Sequence, residues 1–148
     1  MAGDAAGRDD AVKDDPVIRL FLQTAQAIEE RLERALEGVD LSLAKHSALK
    51  HLAAADEPLS LSELANRLVC VRSNISQLAD RLEADGLIRR VEDPKDRRCV
   101  RAALTGLGRQ RQAAAAQHLQ GVRDEIVAIL SEVDRGALER ALVRLREA

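Results

Sequence analysis

The chain has 148 residues, 46% of them hydrophobic, enough for one buried core with added helices. Aromatic residues make up only 1%, a lone Phe21, so the core must be aliphatic, and the scarcity of stacking rings argues against single-stranded nucleic acid as a target. The net charge of −2 supplies no general basic footprint, and two cysteines make neither a disulfide framework nor a zinc pattern.

In chain order, residues 1–15 are rich in Gly, Ala and Asp and are expected to form a disordered acidic tail. This start lacks the apolar stretch of a signal, and no membrane span is legible, so a cytoplasmic location is expected. Pro16 suits a first helical turn capped by Asp15, and Val17, Phe21, Ala25, Ile28, Leu32 and Leu36 continue an apolar stripe that Gly38 is expected to end. A second helix is predicted over 42–55, with Leu41, Ala44, Ala48, Leu49 and Leu52 inward, before Asp56-Glu57-Pro58 breaks it.

Ser60-Leu61-Ser62-Glu63 is a capping box, so a third helix starts near 61, with Leu61, Leu64, Ala65 and Leu68 on its apolar face. Residues 69–71 make a turn. The fourth helix is predicted from about 72 to 84, with Ile75, Leu78, Ala79 and Leu82 inward, and Gly86 stands where a left-handed cap belongs. A strand over 87–91, a type I turn at Asp93-Pro94-Lys95-Asp96 and a returning strand with Val100, Ala102 and Leu104 on one face complete a hairpin. Thr105 caps a long helix over 106–131, carrying Ala116, Leu119, Val122, Ile126 and Ile129. Asp134 caps a last helix with Leu138, Leu142 and Leu145 inward.

Helix, tight turn, helix and basic hairpin in succession describe a winged helix-turn-helix. The expected fold is therefore mainly α with a small β-hairpin wing. Its winged helix spans about 42–105, inside a single domain over 16–148. The opposite face of the fourth helix carries the candidate groove-reading residues Arg72, Ser73, Asn74, Ser76 and Gln77, with Arg81 placed for phosphate. On the wing, Lys95 is placed for phosphate and Arg97 and Arg98 for the minor groove, with Asp96 expected to hold a guanidinium in position. The helices at about 16–38 and 106–147 carry more apolar surface than a small winged core can cover, which points to a homodimer. Such a dimer would read half-sites of a pseudo-palindromic double-stranded operator about 10 bp apart.

His46 and His51 are candidates for lining a small-molecule pocket between the dimerisation helices and the winged body. Cys70, in the turn, and Cys99, on the wing among arginines, are candidates for redox sensing. No histidine pair has metal-ligand spacing, no nucleophile–base set is present and no Gly-rich phosphate loop occurs, so no metal, cofactor or enzymatic activity is expected. Two alternatives to a sequence-specific DNA-binding regulator stand beside it: a dimeric helical protein-interaction module, and a cysteine-based redox regulator.

The stretch over 59–109 resembles the MarR family of transcriptional regulators. The resemblance rests on Arg72-Ser73-Asn74, the run from Asp80 to Arg90, the wing Asp93-Pro94-Lys95-Asp96-Arg97-Arg98 and Leu104-Thr105-Gly106-Leu107-Gly108. It implies a winged-helix homodimer on a pseudo-palindromic operator, with Ser73, Asn74 and Gln77 in the major groove and Asp96 and Arg98 as the wing pair. It also implies a repressor that releases DNA on binding a small anionic or phenolic ligand or on cysteine oxidation. Cys70, at a turn position more often Val, and Arg101, in a strand slot usually apolar, depart from the family pattern.

Overall fold

A computed structural model describes residues 15–68 and 74–148. Within them lie helices α1 (Pro16–Glu37), α2 (Leu43–Ala54), α3 (Leu61–Arg67), α4 (Ile75–Ala84), α5 (Gly106–Leu130) and α6 (Arg135–Glu147), and strands β1 (Leu59–Ser60), β2 (Ile88–Glu92) and β3 (Val100–Leu104). The expected fold class is the observed one: mostly helical, with a small antiparallel sheet.

The helix starts follow their capping chemistry. Asp15 accepts from the Val17 amide at 2.8 Å, with Pro16 in the first turn. Ser42 caps α2, Thr105 caps α5 and Asp134 caps α6. At α3 the reciprocal box is complete: the Glu63 amide donates to the Ser60 hydroxyl at 3.1 Å and the Ser60 amide to the Glu63 carboxylate at 2.9 Å. A further cap comes from outside α2, whose Leu43 amide donates to both carboxylate oxygens of Glu33 on α1, at 3.0 and 3.1 Å.

Three local features differ from expectation. Gly38 closes α1 in the right-handed region, φ −64°, and the left-handed residue is Asp40, φ 55°. Gly38 is small for another reason: a Cβ there would lie 3.0 Å from the His118 ring. Helix α4 begins at Ile75, because the Asn74 side chain accepts from the Ser76 amide at 3.0 Å and stops the helix one residue earlier. The backbone turn at the hairpin tip sits at 96–99, where the Cys99 amide donates to the Asp96 carbonyl at 3.0 Å. Asp93-Pro94-Lys95 is instead an Asx turn, in which the Asp93 carboxylate takes the Lys95 amide at 2.9 Å.

Gly86 behaves as expected. With φ 72° it lets the Leu87 amide reach the Leu82 carbonyl and its own amide the Glu83 carbonyl, both at 2.9 Å, the two bonds of a Schellman ending. Leu87 thereby drops into the core, and β2 starts one residue later, at Ile88.

The strand order is β1-β3-β2, antiparallel throughout. The two-residue β1, too short to show any alternation, was not foreseen; it sets Leu59 opposite Ala102 and Ser60 opposite Arg101. On the other edge of β3, Val91 stands opposite Arg101 and Ile88 opposite Leu104. Thr105 locks the hairpin to α5. Its hydroxyl donates to the Gly86 carbonyl at 2.7 Å and accepts from the Gly108 amide at 3.0 Å. Gly108 is held so close that a Cβ would sit 2.1 Å from the Leu87 carbonyl oxygen, which accounts for the glycine at that place.

The largest fully buried side chains are Leu36, Leu49, Leu64, Leu82, Leu87, Ile88 and Leu119. They come from the last turn of α1, from α2, α3 and α4, from the start of the hairpin and from the middle of α5. At about 1.5–3 kcal/mol each, this aliphatic set is the main stabilising term of the winged body. Ala65 is exposed and Ile75 only half-buried. Outside the body the packing stops: α6 has no buried residue, and Phe21, Ile129 and Leu145 are 41%, 66% and 63% exposed. Among the described residues no helix is long and apolar enough to cross a membrane.

Candidate nucleic-acid interface

Helix α4 turns Leu78, Ala79 and Leu82 into the core, so its opposite side is committed to solvent. Ser76, Gln77 and Arg81 are exposed there, with Asn74 exposed at the helix start. Asn74 uses its side-chain oxygen to cap the helix, which leaves its amide nitrogen as the group available to a partner. Arg72, Ser73 and Cys70 lie outside the described residues.

Two ion-pair sets fix α4 through Asp80, Glu83 and Asp85. Arg90 on β2 donates to Asp80 at 2.5 Å and to Glu83 at 2.9 Å, and its own amide donates to Glu83 at 3.0 Å. The Asp80 bond is the largest of the causes that raise the Arg90 pKa, followed by Glu83. Behind the helix, Lys45 on α2 reaches the α4 C-cap residue Asp85 at 2.6 Å.

The wing tip exposes Lys95, Asp96, Arg97, Arg98 and Cys99. Contrary to the expectation from the sequence, Asp96 holds no guanidinium among the described residues. Its carboxylate accepts from the Arg98 backbone amide at 3.0 Å, because the tight turn at 96–99 brings that amide over its own side chain, and its other oxygen lies 3.8 Å from Cys99 Sγ. Among the described residues nothing hydrogen-bonds to the guanidinium groups of Arg81, Arg97 or Arg98, in contrast to Arg90 and Arg101.

Arg101 is the polar residue of this region whose part the sequence did not disclose. From β3 its Nε donates to Asp93 at 3.0 Å, and its Nη1 donates to Glu63 at 3.1 Å and to the Pro58 carbonyl at 2.9 Å. Asp93 is held below the usual carboxylate range by the Lys95 amide first and Arg101 second. Glu63 is lowered first by the Ser60 amide and then by Arg101. The signal lay in the register: a charged residue in the central strand, level with a capping-box glutamate, demands a partner.

The structure sets His46 and His51 on one helix five positions apart, hence on different faces. His46 is 3% exposed, and neither ring nitrogen has a hydrogen-bond partner among the described residues. Burial, then Arg123 and Lys50, lower its pKa. His51 is partly exposed and is lowered by burial, Lys50 and Arg67. Among the described residues no group of three or more His, Cys, Asp and Glu is arranged to hold a metal. An apolar cleft of about 430 Å³ runs between α1 and α5, lined by Ile28, Ile126, Ile129 and Leu130 among others.

The family model of the MarR family matches residues 39–98, from the α1–α2 connection to the wing tip. Over that segment the chain is similar to the MarR-family winged helix-turn-helix. It is 40% identical over 53 residues to the uncharacterised HTH-type transcriptional regulator YkoM of Bacillus subtilis, over 36% of this chain and 34% of that one. The chain spans between 34% and 56% of the length of the curated relatives it matches. Among solved structures, the transcriptional repressor CouR bound to a 23-mer DNA duplex superposes with a TM-score of 0.77 at 26% identity, over 91% of this chain and 94% of that one. The Mycobacterium tuberculosis regulator MosR in complex with DNA gives 0.69 at 26% identity, over 86% and 90%. In this MarR-like chain both outer helix regions therefore have counterparts in the compared folds, beyond the segment that the family model matches.

Proposed function

We propose that this protein is a cytoplasmic, homodimeric transcriptional regulator that binds a pseudo-palindromic double-stranded operator and represses until a small-molecule ligand releases it. The observation that carries the reading is the coincidence of two unspent surfaces. The solvent face of α4 offers Asn74, Ser76, Gln77 and Arg81, and the neighbouring wing offers Lys95, Arg97 and Arg98, the arginines without hydrogen-bond partners for their guanidinium groups among the described residues. In this reading α4 enters the major groove, where amide and hydroxyl groups read base edges, and Arg72 and Ser73, outside the described residues, remain candidate DNA contacts. The wing arginines meet phosphate or the minor groove, and the counterions they displace make affinity salt-dependent.

Dimerisation rests on the exposed apolar rows of α1, α5 and α6, which a second copy would cover while doubling the DNA contact. An effector site near His46, between α2 and α5, is supported by a buried imidazole with no polar partner among the described residues. His51, on a different face of α2, is the second candidate. Release through Cys70 or Cys99 is the alternative mode of control.

Fluorescence anisotropy on DNA from upstream of the protein's own gene, against a scrambled duplex at two salt concentrations, tests the function. Sequence-dependent binding that salt weakens is expected. Arg98→Ala is expected to weaken it and to flatten the salt slope by about 1 if Arg98 meets phosphate. Absence of binding to any duplex at low salt overturns this reading in favour of a protein-interaction module.

A further inference from the structure

We infer that Arg101 is a positioning residue for the wing, a clamp that sets the angle at which Arg97 and Arg98 are presented beside α4. The inference rests on the DNA-binding reading above. One guanidinium joins three separate pieces of backbone. It bonds Asp93 at the wing base, the Pro58 carbonyl ahead of β1, and Glu63 in the first turn of α3. Each partner is itself tied down. Asp93 takes the Lys95 amide with its side chain, and its own amide donates to the Cys99 carbonyl at 3.0 Å. Glu63 holds the Ser60 amide as the capping box. A rotation of the hairpin about its base would break bonds at both ends of the Arg101 side chain together.

The hairpin needs such a clamp. Beyond Val100, the bonds among the described residues that hold the wing are local ones, the tip turn, the Asp93 Asx turn and the Asp93–Cys99 bond, and Val100 itself is 41% exposed. The β1 strand that backs β3 is two residues long and ends level with Arg101. Charge-assisted bonds to carboxylates with fixed backbone partners supply the rigidity that neither apolar burial nor sheet pairing provides at this edge. Asp93 is 8% exposed, so the pair at the wing base is shielded from water more than an ordinary surface ion pair. The Nε and Nη1 donors of Arg101 are taken by protein groups.

The test measures the wing without DNA and then with it, in the full chain. Hydrogen–deuterium exchange of the segment 93–100 is compared for wild type, Arg101→Leu and Arg101→Lys, with circular dichroism and melting to confirm folding. Arg101→Leu is expected to exchange faster in that segment while α1 and α6 are unchanged, and Arg101→Lys, which keeps a charge but only a single ammonium, falls between. Glu63→Gln serves as a second variant that loosens the same clamp from the α3 side. On operator DNA, Arg101→Leu is expected to bind on the order of tenfold more weakly with its salt slope unchanged, because no phosphate contact is lost. Unchanged exchange in segment 93–100 overturns the clamp. A salt slope that becomes shallower by about 1 overturns the positioning role, since Arg101 would then be a phosphate contact. Faster exchange in a protein whose wild type binds no duplex upholds the clamp and sinks the DNA-binding reading instead.

Discussion

Helices α4 and α6 begin alike and end differently. Each has a side-chain cap and an apolar row at helical spacing. Yet α4 buries Leu78, Ala79 and Leu82, whereas α6 buries none of Leu138, Leu142 or Leu145. Helix α4 lies inside a body whose other elements were built by the same short stretch of chain: α3 before it, β2 after it, and α2 and α5 behind. Helix α6 shares with the end of α5 an apolar cleft of about 420 Å³ lined by Leu130, Leu138, Leu142 and Val143 among others. An amphipathic pattern states that a helix has a partner. It does not state whether the partner is in the same molecule.

That contrast sets the largest expected effects. Leu82→Ala removes a fully buried side chain from the body and is expected to cost about 2–5 kcal/mol in denaturant unfolding, at every protein concentration. Gly108→Ala sets a Cβ against the Leu87 carbonyl, an atom that cannot step aside, and is expected to lose about 1–3 kcal/mol by the same measurement. In α6 the double change Leu142→Asp/Leu145→Asp is expected to leave the monomer folded but to halve the mass seen in sedimentation and to abolish the concentration dependence of Tm. A wild type that sediments as a monomer would remove the difference between the two helices altogether.

The body was legible in the sequence because its signals are local and reinforce one another. The Ser60–Glu63 box, Gly86 after Leu82 and the Leu104-Thr105 pair each fix an element end within four residues. What escaped is what depends on distant partners. Arg101 looked like a misplaced charge on a strand until β1, two residues long, set Ser60 level with it and brought Pro58 and Glu63 within reach of its guanidinium. Asp96 looked like a guanidinium partner because arginines follow it, but the chain reverses so tightly that its nearest donor is a backbone amide. Gly38 looked like a left-handed cap, and only the packing of α5 against the end of α1 shows that the His118 ring lies against it.

A smaller effect separates body from arms by pH. His46 is lodged at 3% exposure in the body, its pKa lowered by burial and by Arg123 and Lys50. The unfolded chain therefore takes up a proton at higher pH than the folded one, so stability is full above 6.5 and falls as pH drops below it. His46→Met, similar in bulk and without orphaned nitrogens, is expected to raise stability at neutral pH by about 1 kcal/mol and to flatten the pH 7-to-5 slope. An unaltered slope would mean that the imbalance in proton uptake arises elsewhere, with partly exposed His51 the next candidate.

The smallest effect belongs to the wing, and its sign is opposite in origin. Asp93 is a carboxylate whose folded pKa is depressed, chiefly by the Lys95 amide and then by Arg101. Its contribution is present above its ordinary value of 3.8 and is lost only as pH falls through the lower folded value. The wing is accordingly expected to be indifferent to the pH 7-to-5 range that tests His46. Followed by NMR, the Lys95 amide resonance reports the event directly, because that amide donates to the Asp93 carboxylate. In wild type it is expected to titrate below 3.8, and in Arg101→Leu to move toward that value while remaining under it, since the first-ranked cause is left in place. A midpoint unmoved by the substitution would show that the backbone amide alone orders the wing base. The hairpin would then stand free of α3, as α6 stands free of the body.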